Sequence, residues 1–330
     1  MQFSAARKTL LTLLADGNFH SGAELAKTLN LSRTAIWNMM CELKELGLEF
    51  NAITGKGYCL IRPLEWLDET VINSQLNPTA KNLLTASEIH DELDSTNTRL
   101  MNSVASSSPA SGLVCLAEYQ KAGRGRVGRF WQSPFGGNIC LSLLWWFEDQ
   151  TAFSGLSLAV GVAIVRALHT AGIKEVGLKW PNDILWQGRK LGGILLEVSG
   201  EAHGRYAVVI GIGLNWHLSP AKAKAIDQAW VDLNQITNGS PPSRNQLIAL
   251  LLNELFQLLS DYHKRGLMAY IDEWRQWHCQ AGHRASLQWG DKLMHGVIVG
   301  VSDEGLLLMD CEEGGLKQFA SGDLRLRSDE

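Results

Sequence analysis

Gly123-Arg124-Gly125-Arg126-Val127-Gly128 satisfies the G-x-G-x-x-G spacing that opens a dinucleotide-binding βαβ unit, and an apolar run at residues 114–117 precedes it. In such a unit the glycines lead directly into a helix whose N-terminus meets the pyrophosphate. Here Phe130, Trp131, Pro134 and Gly136-Gly137 follow, and this run precludes a regular helix. The doubly wound parallel fold is thereby excluded at its most diagnostic point. Residues 114–117, 139–146, 184–186, 194–198 and 206–212 read as strands with mostly turn-length connections, which favour antiparallel pairing. Helical stripes over 155–170 and 246–265, the second stopped by Gly266, complete an α+β pattern with helices packed on a mainly antiparallel sheet.

The N-terminus has a different grammar. Leu10, Leu11 and Leu14 form a helical stripe that ends at Asp16-Gly17-Asn18. Ser21 can cap a second helix with Leu25 and Leu29 inward, Asn30-Leu31 turns the chain, and Ser32 can cap a third with Ile36, Met40 and Leu43 inward. Two short extended runs then flank Thr54-Gly55-Lys56-Gly57. This is the pattern of a winged helix-turn-helix, in which the Ser32 helix enters the major groove with Ser32, Arg33, Thr34, Trp37 and Asn38 outward and Lys56 on the wing touches backbone. A three-helix unit used only for protein contact is the alternative, because the outward face, which also includes Cys41, carries one cation.

With 330 residues the chain has room for two or three domains. We read 1–62 as the winged helix-turn-helix, 63–84 as a linker, 85–279 as the central domain and 280–330 as a small β-barrel. The barrel reading rests on Leu287, Val297, Val299, Leu306 and Leu308 recurring between glycines as far as Arg327. The formal charge of −4 excludes coating of nucleic acid or membrane by bulk electrostatics. Through Arg62 seven basic residues face five acidic ones, a net of +2, so the remainder carries −6. The longest apolar stretch, 150–165, is too short to span a bilayer. Nothing from Met1 to Leu14 reads as a secretory signal, and cytoplasmic residence is expected. The six cysteines contain no CxxC pair and read as buried thiols rather than a zinc site or a disulfide framework.

Three arginines among glycines, Arg124, Arg126 and Arg129, suit the clasping of anionic oxygens from several sides, with a solvated basic loop as the bland reading. In Lys179-Trp180-Pro181-Asn182-Asp183 the proline stops a strand and presents Lys179 at its end, where it either reaches inward or lies on the surface. Asp94-Ser95-Thr96-Asn97 offers hydroxyl and amide groups in one turn, able to pair with a polar ring or simply to cap a helix. Gly188-Arg189-Lys190-Leu191-Gly192-Gly193 reads as a hairpin return, and Gly211-Ile212-Gly213-Leu214-Asn215 ends a strand with close-approach glycines.

In this order, DSTN, EYQKAGRGRVGR, KWPND, GRKLGGILLE and GIGLN resemble the bacterial biotin protein ligase family, and with the N-terminal domain included the resemblance extends to its bifunctional ligase and repressor form over about 320 residues. It implies a DNA-binding domain, a catalytic α+β domain and an SH3-like barrel. It also implies a reaction in which biotin and MgATP give biotinyl-5′-AMP, which acylates a lysine of a biotin carboxyl carrier protein. Such chemistry asks for alignment and positive charge rather than a nucleophile and base.

By motif, the resemblance assigns Ser95, Thr96 and Gln120 to the ureido ring, with Gly123 and Arg124 closing over biotin and Lys179 at the carboxylate and α-phosphate. Arg124 and Arg126 join Lys179 as catalytic cations. Arg126 and Arg129 hold phosphate, Asn182, Asp183 and Asn215 place MgATP with Asp183 as a metal ligand, and Trp230 packs on adenine. Operator DNA and a homodimer formed on adenylate binding are the implied further partners, and no membrane is. Val127 stands where some relatives have a basic residue. The alternatives are a ligase whose N-terminal domain no longer binds DNA, a purely regulatory biotin sensor, and a lipoate ligase, whose dithiolane substrate gives Ser95, Thr96 and Gln120 nothing to match.

Overall fold

Ser4, Ser21 and Ser32 each turn a hydroxyl oxygen onto a backbone N–H three residues on, and so start α1 (Ala5–Leu14), α2 (Gly22–Leu29) and α3 (Arg33–Glu45). Asn30, left-handed at φ 52°, ends α2 and sets the turn into α3. β1 (Phe50–Ile53) and β2 (Gly57–Leu60) pair antiparallel as the wing. Leu10, Leu11, Leu14, Leu25, Ile36, Met40 and Leu43 are all buried in one cluster, as the stripes require. The computed structural model describes residues 4–107, 109–149, 153–200, 204–219, 223–320 and 322–326. Met1, Gln150 and Arg327, at the ends of stretches read above, lie outside them.

The chain from 63 to 84, read as a linker, is folded into the next domain. Its α4 (Glu69–Ser74) and α5 (Pro78–Leu83), with Leu76 between them, bury Ile72, Leu76 and Ala80 in the central core. A seven-stranded sheet follows, in the order β3-β4-β5-β9-β8-β7-β6. Its strands are β3 (Ala86–His90), β4 (Leu113–Ala117), β5 (Asn138–Phe147), β6 (Val176–Lys179), β7 (Asp183–Trp186), β8 (Arg189–Ser199) and β9 (Tyr206–Asn215). β3 and β4 are parallel and every other neighbouring pair is antiparallel.

Alternation along β5 and β9 splits the core. Ile139, Leu141, Leu143, Val208, Ile210 and Ile212 face α7 (Leu156–Thr170) and the long helix Arg244–Arg265, while Leu144, Ala207 and Val209 face α6 (Thr96–Ser107). Arg244, fully buried, bonds the Glu118 carboxylate at 2.8 Å and the carbonyls of Glu65 and Asn138. An ion pair taken out of water destabilises strongly when one partner is lost. Here it ties the long helix to the end of β4, from which the chain runs on to Gln120.

β10 (Arg284–Trp289), β11 (Lys292–Val301), β12 (Leu307–Cys311), β13 (Gly315–Phe319) and β14 (Asp323–Leu326) form a five-stranded antiparallel sheet ordered β13-β12-β11-β10-β14. Among the described residues no pairing joins its β13 and β14 edges, so this SH3-like unit is an open sheet rather than a closed barrel. Ile298, Leu307 and Met309 point inward, which leaves Val297, Leu306 and Leu308 half-buried and Val299 51 % exposed. Trp180, buried between the domains, donates its indole N–H to the Gly305 carbonyl at 3.0 Å and docks this sheet against the end of β6. Four cysteines are buried as expected. Cys41 and Cys279 are exposed, because one lies on the outward face of α3 and the other in the connection that leaves the central domain. No described helix is long and apolar enough to cross a membrane.

Candidate functional site

The ends of β4, β6, β8 and β9 and the start of α6 surround a cavity of about 330 Å³. Of the residues assigned to ligands by motif, Ser95, Thr96, Gln120, Arg124, Arg126, Arg129, Lys179, Asn182, Asp183, Asn215 and Trp230 all line it, although they come from stretches up to about 130 residues apart. Gly123 does not line it. A Cβ there would sit 2.5 Å from the Trp131 carbonyl, and the Trp131 N–H donates to the Gly123 carbonyl at 2.8 Å, so this glycine lets the loop fold back closely on the segment around Trp131.

One end of the cavity is uncharged and polar. Ser95, Thr96, Asn97 and Gln120 are each under a tenth exposed. The Gln120 side-chain carbonyl accepts from the Thr96 N–H at 2.8 Å, with the Thr96 hydroxyl 3.2 Å away, which fixes the amide's orientation toward the cavity. Ser142 stands behind them, its hydroxyl 2.7 Å from that of Thr96 and donating to the Asn97 side-chain carbonyl at 2.6 Å. Gly211 and Gly213 explain the close-approach reading. A Cβ would lie 2.2 Å from the Asn97 oxygen at the first and 2.6 Å from the Trp131 ring at the second. The indole of Trp131 thus lies flat on β9 as a cavity wall, and its buried N–H has no partner among the described residues.

The other end is cationic. Arg124, Arg126, Arg129, Lys179 and Lys190 line the cavity against Asp183 and Asp227. Arg126 donates to the Asn182 side-chain carbonyl at 3.2 Å, and the Asn182 amide donates in turn to the Ile194 carbonyl at 2.7 Å. Lys190, which we did not single out, pairs with Asp183 at 2.6 Å and lies 5.9 Å over the Trp131 ring. Asn215 braces it by donating to the Lys190 and Val231 carbonyls, and so acts on backbone beside Lys190 and Trp230. Arg124 turns to Glu197 at 2.8 Å. Behind Lys179 the connection to the last domain pairs with β6 at Leu178; although Cys279 is exposed as a residue, its thiol sits part-buried on the Leu178 carbonyl, where burial pushes it up and the Lys179 charge opposes it.

Trp131 and Lys190 in the cavity wall, and Ser142 and Glu197 behind it, are residues to which sequence reading gave no role. For Lys190 a signal existed in the glycine-rich return, but the register shift between Ile184 and Leu185 hides which side of β8 faces the cavity. Asp183 is committed to Lys190, and among the described residues it belongs to no group of three converging ligand atoms. Among the described residues the one group whose ligand atoms converge is Glu88, His90 and Cys115, elsewhere on the sheet. There Arg99 holds both Glu88 oxygens, and burial raises Cys115 to about 12.

Ser32, Arg33, Thr34, Trp37, Asn38 and Lys56 lie on the surface of the N-terminal domain, and none of them lines the cavity. All are exposed, Trp37 by 57 %, while the Ser32 hydroxyl is engaged as a cap.

Two family models match the chain: the biotin/lipoate A/B protein ligase family over residues 90–215 and a helix-turn-helix domain over 6–59. The bifunctional ligase/repressor BirA of Salmonella typhimurium is 37 % identical over 323 residues, 98 % of each chain. That of Bacillus subtilis is 31 % identical, covering 98 % of this chain and 99 % of its own. Among solved structures, the biotin protein ligase of Aquifex aeolicus in complex with biotin and ATP superposes with a TM-score of 0.62 at 26 % identity, over 74 % of this chain and all of that one.

Proposed function

The chain belongs to the biotin protein ligase family in its bifunctional ligase and repressor form, and from that membership we propose that it adenylates biotin, transfers it to a carrier-protein lysine, and represses transcription with the adenylate as corepressor. The observation that carries the reading is the division of one cavity into a buried neutral polar end and a cationic end. Biotin has the same division, a ureido ring at one end and a carboxylate at the other. Ser95, Thr96 and Gln120 meet the ring; a dithiolane has no donors or acceptors to repay burial of these groups, which disfavours lipoate.

At the cationic end a carboxylate oxygen attacks the α-phosphorus of ATP and pyrophosphate leaves. Lys179, Lys190 and Arg126 stabilise the charge that builds on the phosphoryl oxygens, and Arg129 holds the departing phosphates. Magnesium arrives with the triphosphate as part of the substrate and neutralises its oxygens, and Asp183, within reach of Lys190, orders that end of the site. Trp230 packs on the adenine. The carrier lysine, as free amine, then attacks the acyl carbon, AMP departs and the amine proton is lost. Gly123 and Arg124 belong to the loop that covers the mixed anhydride until the carrier docks. The surface of α3 and the wing binds operator DNA as a homodimer that adenylate promotes, in the cytoplasm.

Incubation with radiolabelled biotin, MgATP and a biotin carboxyl carrier domain, with lipoate in a parallel reaction, tests the reading. Labelled carrier with biotin alone is expected. Labelling by lipoate and not biotin reverses the substrate, and adenylate-free biotin binding with no transfer leaves a sensor in place of an enzyme.

A further inference from the structure

Glu197 does not line the cavity, yet it ends a continuous line of hydrogen bonds that begins inside it. Gln120 accepts from the Thr96 backbone N–H, which leaves the Thr96 hydroxyl to donate to Ser142 at 2.7 Å; Ser142 donates to Asn97, and Asn97 donates to Glu197 Oε2 at 3.0 Å. The other carboxylate oxygen, Oε1, receives Arg124 of the glycine loop at 2.8 Å. Every member up to Asn97 is buried, and Asn97 is wedged on Gly211. Glu197 is therefore held from behind by buried, close-packed groups, whereas Arg124 stands on a loop whose Val127 is 87 % exposed and held at φ 54°.

We infer that Glu197 is a positioning residue for the ligation: it clasps Arg124 and so holds the loop shut over bound adenylate, without touching the adenylate. The inference rests on the proposed role of the loop as cover. A fixed acceptor and a mobile cation make a latch, because the closed state gains a charge-assisted hydrogen bond that the open state lacks. Its strength is modest. The Arg124 side chain is 50 % exposed and that of Glu197 18 %, so solvent screens the pair and salt weakens it. The same carboxylate keeps Arg124 from joining Arg126 and Arg129 on the phosphates.

The test measures release of preformed radiolabelled biotinyl-AMP by chase, the rate of adenylate formation, and stray labelling of an unrelated protein's lysines. The full chain is compared with Glu197→Gln, Arg124→Gln and the double variant. Each single change is expected to speed release by about three- to ten-fold with a matching rise in stray labelling, while Glu197→Gln leaves adenylate formation nearly unchanged. The double variant should release no faster than the faster single one, and salt should speed release from the wild-type chain but not from the double variant. If Arg124→Gln speeds release and Glu197→Gln does not, the clasp is overturned and the cover stands; if Arg124→Gln itself changes nothing, the cover falls too. Additive effects, or salt-insensitive release from the unaltered chain, also overturn the clasp, the last without any variant.

Discussion

The face of α3 and the cavity both present basic and aromatic side chains, but they use them in opposite ways. On α3 and the wing, Arg33, Trp37 and Lys56 stand apart in solvent, each screened by water and salt. In the cavity, Arg126, Lys179 and Lys190 converge from a loop and two strands onto one half-open volume with Trp131 beneath. Convergence on one partly buried space lets a single molecule perform chemistry. Dispersal on a solvated surface gives weak binding that needs a second copy to become specific. From that difference the two activities proposed for this chain are expected to have different minimal units, one subunit for ligation and two for repression.

The largest expected effect strikes the convergent site. Lys179→Ala should lower the rate of adenylate formation by about 10² to 10³ while weakening biotin binding far less, because its charge is needed as the phosphorus becomes pentacoordinate. Pyrophosphate release under single-turnover conditions measures this, and an unchanged rate removes Lys179 from the chemistry. Next comes the coupling between the two surfaces. Adenylate should strengthen homodimerisation by about 5- to 150-fold, and the dimer must bind adenylate better by a correspondingly linked factor. Sedimentation with and without adenylate decides it; an unmoved dimer constant would leave the two surfaces uncoupled.

On the dispersed surface, Arg33→Ala or Lys56→Ala should each lower operator affinity and reduce the salt slope by about one per half-site, as loss of one phosphate contact does. Operator titration at several salt concentrations reads this. A change in base preference instead would make the residue a base reader. A protein with no specific binding at all would be a ligase with a vestigial N-terminal domain.

The smallest effects concern acid. His278, which pairs with β6 behind Lys179, is held neutral by burial, its pKa lowered from 6.5 to about 4. The unfolded chain takes up this proton first, so the stabilisation is complete above pH 6.5 and is lost as pH falls toward 4. Asp16, in the N-terminal domain, is lowered from 3.8 to about 2, chiefly by the Asn18 N–H and then by His20. Its contribution is present above pH 3.8 and fades toward 2. His278→Gln should flatten the first limb of an acid unfolding curve and Asp16→Asn the second, followed by circular dichroism. A shared limb would merge the two regions in acid.

The N-terminal domain was almost fully legible because its signals are local: Ser21 and Ser32 cap helices three residues away, and Asn30 closes a turn by its own φ. The residues that line the cavity were legible as motifs, since each motif is short and its chemistry unusual. What escaped depends on distant contact. Lys190, Asn97 and Glu197 acquire meaning only when β8, α6 and the glycine loop meet, and α4 and α5 are too short to announce a buried stripe. In the last sheet nearly continuous apolar runs such as 297–299 and 306–309 carry no parity, so sequence did not reveal that Ile298 and Met309, rather than Val299 and Leu308, point inward.

Phe135 belongs by sequence to the segment that follows the arginine loop, but by packing to the other domain. It is 3 % exposed within the N-terminal core, its ring edge-on to Trp66 at 5.7 Å, and its N–H donates to the Leu46 carbonyl at the end of α3. The DNA-binding domain is consequently not a transplantable part. A chimera that exchanges residues 1–62 for those of another repressor keeps a phenylalanine with no matching socket, at a cost approaching the roughly 3–5 kcal/mol of a buried Phe→Ala. The heritable unit of repression in this chain is the N-terminal domain together with residue 135, and inheritance of one constrains the drift of the other.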